Sequence, residues 1–325
     1  MNTAPQRQTD RLYERVRPFI PALEWPVFAT EIDAILELKR ARDAVILAHN
    51  YQTPEIYHCI ADIVGDSLQL AREAARLDAR VIVMAGVYFM AETAKLINPD
   101  KLVLIPDREA GCSLAESITA EDVRDLRRQY PGIPVVTYVN TSAAVKAESD
   151  ICCTSSNARE VVESLGSRKV ILIPDHYLAL NVARETSVEI IPWMGRCMVH
   201  ERFGVEEVRE LRRAHPDLAV LVHPECQPEV VEEADFSGST TALARYIGER
   251  HPTQVALLTE CSMSDNIAVE HPEVQFIRPC NLCPHMKRIT LAKIRESLTS
   301  LCYPVEIDGG IADRARAAVE RMLTL

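Results

Sequence analysis

The stretch that decides the fold is AVILAHNYQ, residues 44–52, in which an apolar run ends in His49 and Tyr51. The same pattern returns as PVVTYVN, residues 134–140, and as AVLVHPE, residues 219–225. Short runs rich in β-branched residues predict buried strands, and each of these runs ends in two polar residues spaced i, i+2. One structural unit is therefore predicted to occur three times in the chain.

Each copy continues in the same way. A serine that could cap a helix comes first, because its hydroxyl can satisfy an unpaired backbone N–H. A second strand follows as RVIVMA, KVILIP or QVALLT, and a third ends in proline as KLVLIP, VEIIP or VQFIRP. Four to six residues beyond each proline stands a cysteine. The serines are Ser67, Ser155 and Ser239, and the cysteines are Cys112, Cys197 and Cys283.

Alternating strands and helices predict an α/β fold with parallel sheets. We expect three pseudo-threefold-related αβα sandwich domains around a central active site, with the units at residues 1–114, 115–199 and 200–285. The C-terminal segment 286–325 is expected to pack on the first unit. Ligands of such sheets bind beyond the carboxyl ends of the strands. If the three copies face one axis, their polar strand ends and one cysteine from each meet in one pocket.

The bulk properties exclude several classes of protein. A net charge of −11 argues against nucleic acid as the main partner. The same charge repels anionic substrates, so an anion site must be built locally from helix N-termini or a metal. The segment MNTAPQRQTD, residues 1–10, has no apolar core of a signal peptide, and no apolar run approaches the roughly 20 residues of a membrane span. We expect a cytoplasmic protein with reduced thiols and no membrane partner.

Ten cysteines need an interpretation, and a single cysteine is most often a small buried apolar residue. Cys112, Cys197 and Cys283 differ because each follows the equivalent strand of its copy, at intervals of 85 and 86 residues. Three thiolates can hold three irons of a 4Fe–4S cluster and leave the fourth open, or bind zinc with one open position. Cys280 forms only a CxxC with Cys283, which is a weak signal. The apolar interpretation is given to Cys59, Cys152, Cys153, Cys226, Cys261 and Cys302.

The polar strand ends are the candidate catalytic residues. Side chains at i and i+2 of an extended segment project to the same side, so both members of a pair can face the pocket. Histidine titrates near neutral pH, and buried tyrosine or glutamate can be tuned for proton transfer. Tyr138 and Asn140 offer a hydroxyl and an amide that could hold a carboxylate or an oxyanion. The candidate catalytic residues are His49, Tyr51, Tyr138, His223 and Glu225.

From about Ile46 to Leu298 the sequence resembles the quinolinate synthase family. The motifs that carry the resemblance are LAHNYQ (47–52), ADIVGDSLQLA (61–71), AGCSLAE (110–116), TYVNTSAAVKAESDICCTSSNA (137–158), WMGRCMVHERF (193–203), HPEC (223–226), GST (238–240) and CPHMKRITL (283–291). Several motifs in the correct order are a far stronger signal than any one motif. Some family members carry a CxxCxxC near the end, whereas here Ile277 occupies its outer position, which puts disulfide regulation of that type in doubt.

The resemblance implies that the chain condenses iminoaspartate with dihydroxyacetone phosphate to quinolinate in de novo NAD biosynthesis. It implies one 4Fe–4S cluster held by Cys112, Cys197 and Cys283, and functional coupling to an iminoaspartate-producing enzyme. The alternatives are a different iron–sulfur hydro-lyase and a non-catalytic protein in which zinc joins three domains. The substrate-binding residues that the resemblance implies are His49, Ser67, Tyr138, Asn140, Ser155, His223, Glu225, Ser239 and Thr240.

Overall fold

A computed structural model describes residues 8–325 of the chain. Most of the N-terminal segment from which the absence of a signal peptide was predicted lies outside the described residues. Within residues 8–325, no helix has both the length and the apolar character that crossing a membrane requires.

The described residues form three parallel four-stranded sheets, each with the same strand order. In every sheet the first strand of the unit lies between the second and third strands, and the fourth lies at the edge beyond the third. The predicted α/β class and threefold repetition are thereby confirmed. The first sheet contains β1 (Ala44–His49), β2 (Ile63–Gly65), β3 (Val81–Ala85) and β4 (Leu102–Leu104). The second contains β5 (Val135–Tyr138), β6 (Ile151–Cys153), β7 (Lys169–Ile173) and β8 (Glu189–Pro192). The third contains β9 (Leu218–Val222), β10 (Phe236–Ser237), β11 (Gln254–Leu258) and β12 (Gln275–Ile277).

One strand of each unit was not predicted. β2, β6 and β10 are only two or three residues long, too short for a period-2 pattern to emerge. They form because the edge of the neighbouring longer strand offers unpaired backbone groups. The units are therefore four-stranded rather than three-stranded.

Helices connect the strands and lie against the sheets. β3 is buried along its whole length, as expected of a parallel strand covered on both faces. The helices are α1 (Gln8–Val16), α2 (Trp25–Arg42), α3 (Pro54–Cys59), α4 (Ser67–Ala74), α5 (Tyr88–Ile97), α6 (Ser113–Glu116), α7 (Ala120–Gln129), α8 (Ala143–Ala147), α9 (Ala158–Ser164), α10 (His176–Glu185), α11 (Val205–Ala214), α12 (Pro228–Glu232), α13 (Thr240–Arg250), α14 (Cys261–Glu270), α15 (Leu291–Ser300) and α16 (Gly309–Leu323).

The C-terminal segment contacts two of the three units. α15 packs on α2, next to the first sheet. α16 lies between α5 of the first unit and α8 of the second, and Arg314 donates to the carbonyl of Ala147 at 3.1 Å. The boundaries at residues 114 and 199 stay a prediction.

Two of the predicted serine caps are wrong. Asp66 caps α4, where its carboxylate accepts from the N–H of Gln69 at 2.9 Å, so Ser67 is the first helical residue. Ser155 lies in the turn before α9, which begins three residues later. A carboxylate accepts a hydrogen bond more strongly than a hydroxyl, and Asp66 is a better cap for that reason. Only Ser239 caps its helix as predicted, accepting from the N–H of Ala242.

Candidate active site

A cavity lies where the carboxyl ends of strands from the three sheets meet. All three units contribute to its lining. Ser239 lines a neighbouring surface cleft instead, while the next residue, Thr240, faces the cavity. The predicted residues that line the cavity are His49, Tyr51, Ser67, Cys112, Tyr138, Asn140, Ser155, Cys197, His223, Glu225, Thr240 and Cys283.

Three cysteines, one from each unit, line this one cavity. Burial is the main cause of the raised pKa of the Cys112 and Cys197 thiols. The thiols also lie near one another, because charge on Cys283 further raises the pKa of Cys112 and charge on Cys112 further raises the pKa of Cys197. Each thiol also accepts hydrogen bonds from the backbone N–H groups two and three residues further along the chain. The donors are Leu114 and Ala115 for Cys112, Val199 and His200 for Cys197, and His285 and Met286 for Cys283.

The loops that carry the cysteines are held in an equivalent way. The residue two before each cysteine pairs with the segment that follows the third strand of the unit. The N–H of Tyr88 donates to the carbonyl of Ala110 at 2.7 Å, and the N–H of His176 donates to the carbonyl of Gly195 at 2.8 Å. Asn281 forms a β-bridge with Glu260.

At Gly195 the approach is close, since a Cβ there would lie 2.5 Å from the carbonyl oxygen of Pro174. Only glycine fits without moving that backbone. We conclude that Gly195 lets the Cys197 loop approach the sheet.

The strand-end histidines lie in matching turns. The N–H of Tyr51 points at Nδ1 of His49 at 3.2 Å, and the N–H of Glu225 points at Nδ1 of His223 at 3.3 Å. Burial lowers the pKa of His49 to about 4 and that of His223 to about 3, so both rings are neutral at pH 7. A neutral ring that accepts at Nδ1 carries its proton on Nε2. Both histidines are therefore hydrogen-bond donors through Nε2.

Glu225 is the centre of a buried polar network. Its Oε1 accepts from the hydroxyl of Tyr138 at 2.6 Å, and its Oε2 lies 2.8 Å from Nδ1 of His200. Burial opposes ionisation of Glu225, but the two neighbouring histidines and these hydrogen bonds outweigh it and lower its pKa. Nε2 of His200 lies 3.0 Å from the hydroxyl of Thr259, which in turn lies 2.6 Å from that of Tyr51. The network connects all three units.

His200 and Thr259 were not predicted to be functional residues. His200 is 1% exposed and its ring stacks on that of His223, with centroids 4.6 Å apart. It stands three residues after Cys197, inside a motif that carries the family resemblance, and that position was the one available signal. Thr259 follows directly after β11, the same kind of strand-end position that identified the other candidates.

Three cysteines differ from the expectation of reduced thiols or of a buried apolar residue. Cys261 forms a disulfide with Cys280, so it is not a buried apolar residue, and Cys280 pairs outside the CxxC that it forms with Cys283. The disulfide joins the first residue of α14 to the loop that carries Cys283. Cys302 is half-buried rather than buried. Cys59, Cys152, Cys153 and Cys226 are buried as predicted.

The donor set of the cavity fits an iron–sulfur centre. Burial raises the pKa of the Cys112 thiol to about 12, and burial also raises the pKa of Cys197 and Cys283. The three become thiolates only beside a strong positive centre, which a metal provides. Six backbone N–H groups directed at three sulfurs resemble the second shell of such centres.

A second set of donors could also hold a metal ion. Ligand atoms of Cys197, His200 and Glu225 lie within 4.8 Å of one another. Nδ1 of His200 lies 2.8 Å from Oε2 of Glu225 and 3.2 Å from Sγ of Cys197, so these three side chains already contact one another. The thiol set takes one ligand from each repeated unit, and its soft sulfur donors are those that iron–sulfur centres use. The thiol set is therefore the better metal site of the two.

The comparisons with known proteins agree with this geometry. Residues 33–324 match the family described as quinolinate synthetase A protein. The chain is 70% identical to quinolinate synthase 1 of Mesorhizobium japonicum over 96% of both chains. It is 66% identical to the quinolinate synthase of Agrobacterium fabrum, over 97% of this chain and 91% of the relative. It is 55% identical to that of Caulobacter vibrioides, over 98% and 88%. The chain belongs to the quinolinate synthetase A family.

Proposed function

We propose that this chain is a transferase that condenses iminoaspartate with dihydroxyacetone phosphate to quinolinate, for NAD biosynthesis in the cytoplasm. The observation that carries the proposal is the convergence of three thiols, one from each repeated unit, on one cavity. Family membership and relatives named quinolinate synthase support it.

Cys112, Cys197 and Cys283 are the residues that would hold a 4Fe–4S cluster. A cluster with three cysteine ligands supplies a Lewis acid at its fourth iron, able to take an oxygen of the substrate. The backbone N–H groups around the three sulfurs stabilise the thiolate form and orient the ligands.

The cavity binds anionic substrates without a basic side chain. None of the described residues that line it is lysine or arginine. The N–H groups at the start of α13, beside Thr240, supply the positive end of a helix dipole instead, whereas the start of α4 already holds the carboxylate of Asp66. We assign carboxylate and phosphate binding to the start of α13, together with Ser67, Ser155 and Asn140.

His49 and His223 hold oxygen atoms of the substrate. Because both rings are neutral with Nδ1 engaged by backbone N–H, their Nε2 groups donate hydrogen bonds and stabilise charge that develops on carbonyl or carboxylate oxygens. Aromatisation of the ring then requires proton transfers elsewhere in the cavity.

Tyr138, Glu225 and His200 move those protons. The 2.6 Å hydrogen bond from Tyr138 to ionised Glu225 and the contact of Glu225 with His200 form a chain along which a proton can shift. Tyr51 extends this chain through Thr259.

An anaerobic assay tests the function. Protein purified without oxygen and given iminoaspartate and dihydroxyacetone phosphate is expected to release quinolinate and phosphate in equal amounts. Dehydration of small hydroxy acids without quinolinate formation would instead identify the hydro-lyase alternative. Zinc without iron or sulfide in the same sample would favour the non-catalytic zinc protein. We further propose functional coupling to an iminoaspartate-producing enzyme, and no nucleic acid or membrane partner.

A further inference from the structure

Lys146 is a buried cation that the reaction outlined above does not use. Its side chain is the largest of those that are fully buried, with 0% exposure. Among the described residues no carboxylate lies within 4 Å of its Nζ, although Glu92 is near enough to act on it electrostatically. Burying an ammonium group without an ion pair is strongly unfavourable. The ammonium must therefore be retained for its hydrogen bonds.

Those hydrogen bonds are directed at one loop. Nζ donates to the carbonyl of Val139 at 2.8 Å and to the carbonyl of Thr141. The residue between them is Asn140, which lines the central cavity. One ammonium thus holds the backbone on both sides of a single cavity residue.

The side chain of Asn140 is free to bind a ligand. Its Oδ1 is buried and has no hydrogen-bond partner among the described residues. A buried amide without a partner is unfavourable unless a ligand or water completes its hydrogen bonds. The Lys146 ammonium also lies 5.6 Å from the ring centroid of Phe89, which lines the same cavity. The Lys146 ammonium therefore contacts two parts of the cavity wall, the backbone around Asn140 and the ring of Phe89.

We propose that Lys146 is a positioning residue, whose ammonium holds the carbonyls of Val139 and Thr141 so that Oδ1 of Asn140 accepts a hydrogen bond from a hydroxyl or N–H group of the substrate. This inference rests on the proposed function and assigns a supporting residue to the same site. Lys146 does not touch the substrate, and it acts through Asn140.

A double-mutant cycle of Lys146→Met and Asn140→Ala tests the proposal. Methionine keeps the length of the side chain but removes the donors. We expect Lys146→Met to lower kcat/KM for quinolinate formation about 10²-fold, the scale at which a misplaced binding group acts. In the Asn140→Ala background the same substitution should have almost no further effect, because residues that act through one another are not additive.

A matched control separates positioning from stability. Val145 lies on the same helix, is fully buried, and belongs to the apolar cluster that contains Val123 and Ile171. Val145→Ala should lower the thermal midpoint while leaving kcat/KM within about threefold of the parent. Should Lys146→Met fail to fold, Lys146→Gln takes its place, because its shorter side chain cannot reach both carbonyls.

Hydrogen exchange provides a readout that does not need activity. The amides of residues 139–142 should exchange faster in Lys146→Met than in the parent, and at the parent rate in Val145→Ala. Two results would overturn the proposal. One is equal amide exchange in Lys146→Met and the parent. The other is a double variant whose loss of kcat/KM equals the product of the losses in Lys146→Met and Asn140→Ala. A parent protein that makes no quinolinate overturns the proposed function, while the exchange result still decides the role of Lys146.

Discussion

At the scale of single residues, burial and backbone contacts set the protonation state of the cavity. His49 and His223 are both buried, and each receives a backbone N–H at Nδ1. The cost of burying an imidazolium lowers both pKa values, which leaves neutral rings that donate through Nε2. Glu225 is different, because its histidine and tyrosine partners keep it ionised despite burial. The cavity thus contains histidine donors beside the ionised carboxylate of Glu225.

These pKa shifts predict acid destabilisation. Each histidine has a lower pKa in the folded state than the 6.5 of the unfolded chain, so below pH 6.5 the unfolded state binds more protons. The free energy of unfolding should fall by roughly 1.4 kcal/mol per pH unit for each histidine as the pH drops from 6.5 towards 4. Urea unfolding across this range measures the slope. A His49→Gln, His223→Gln double variant should show a shallower slope, and an unchanged slope would contradict the assignment.

Tyr138→Phe removes a single hydroxyl from the proton pathway. The variant loses the 2.6 Å hydrogen bond to Glu225 and, with it, the proton that this hydroxyl can transfer. We expect kcat for quinolinate formation to fall about 10²-fold. Tyr130→Phe is the matched control, since Tyr130 lies before the start of β5 whereas Tyr138 is the last residue of that strand. Equal turnover in the two variants would exclude Tyr138 from proton transfer.

At the scale of secondary-structure elements, each cysteine loop is attached by backbone pairing to the segment that follows the third strand of its unit. In the third unit, two side-chain contacts strengthen the attachment. The Cys261–Cys280 disulfide joins the start of α14 to the loop, and Glu260 pairs with Lys287 at 2.9 Å on the other side of Cys283. The loop that carries Cys283 is thus fixed both before and after the ligand.

Reducing this disulfide should destabilise the protein. The two cysteines are 19 residues apart, and closing a loop of that length stabilises the folded state by about 3 kcal/mol in the chain-entropy model. A thiol reductant is therefore expected to lower the thermal midpoint of the parent. A Cys261→Ser, Cys280→Ser variant should have the lower thermal midpoint without reductant, and adding the reductant should not change that midpoint. If the reductant does not change the thermal midpoint of the parent, the disulfide contributes nothing to the stability of the folded state.

At the scale of the whole molecule, features that repeat along the sequence could be predicted, whereas features that occur only once could not. Three equivalent strands ending in polar pairs, with one cysteine per copy, are local patterns, and they identified both the fold and the cavity. The disulfide joins residues that no periodicity relates, so it could not be predicted. His200 meets Glu225 and Thr259 through contacts between segments that are distant in the sequence, which no local pattern reveals. The edge strands β2, β6 and β10 form only when a longer neighbour is present.

The most direct test of the central claim is the iron and sulfide content of anaerobically prepared protein, measured together with quinolinate formation. The account predicts about four iron and four sulfide per chain in the parent and in Cys302→Ser, whose thiol lies away from the cavity. Cys197→Ser should lose both the iron–sulfur content and turnover. A Cys197→Ser protein that keeps both would contradict the claim that three thiols, one from each unit, hold a single cluster.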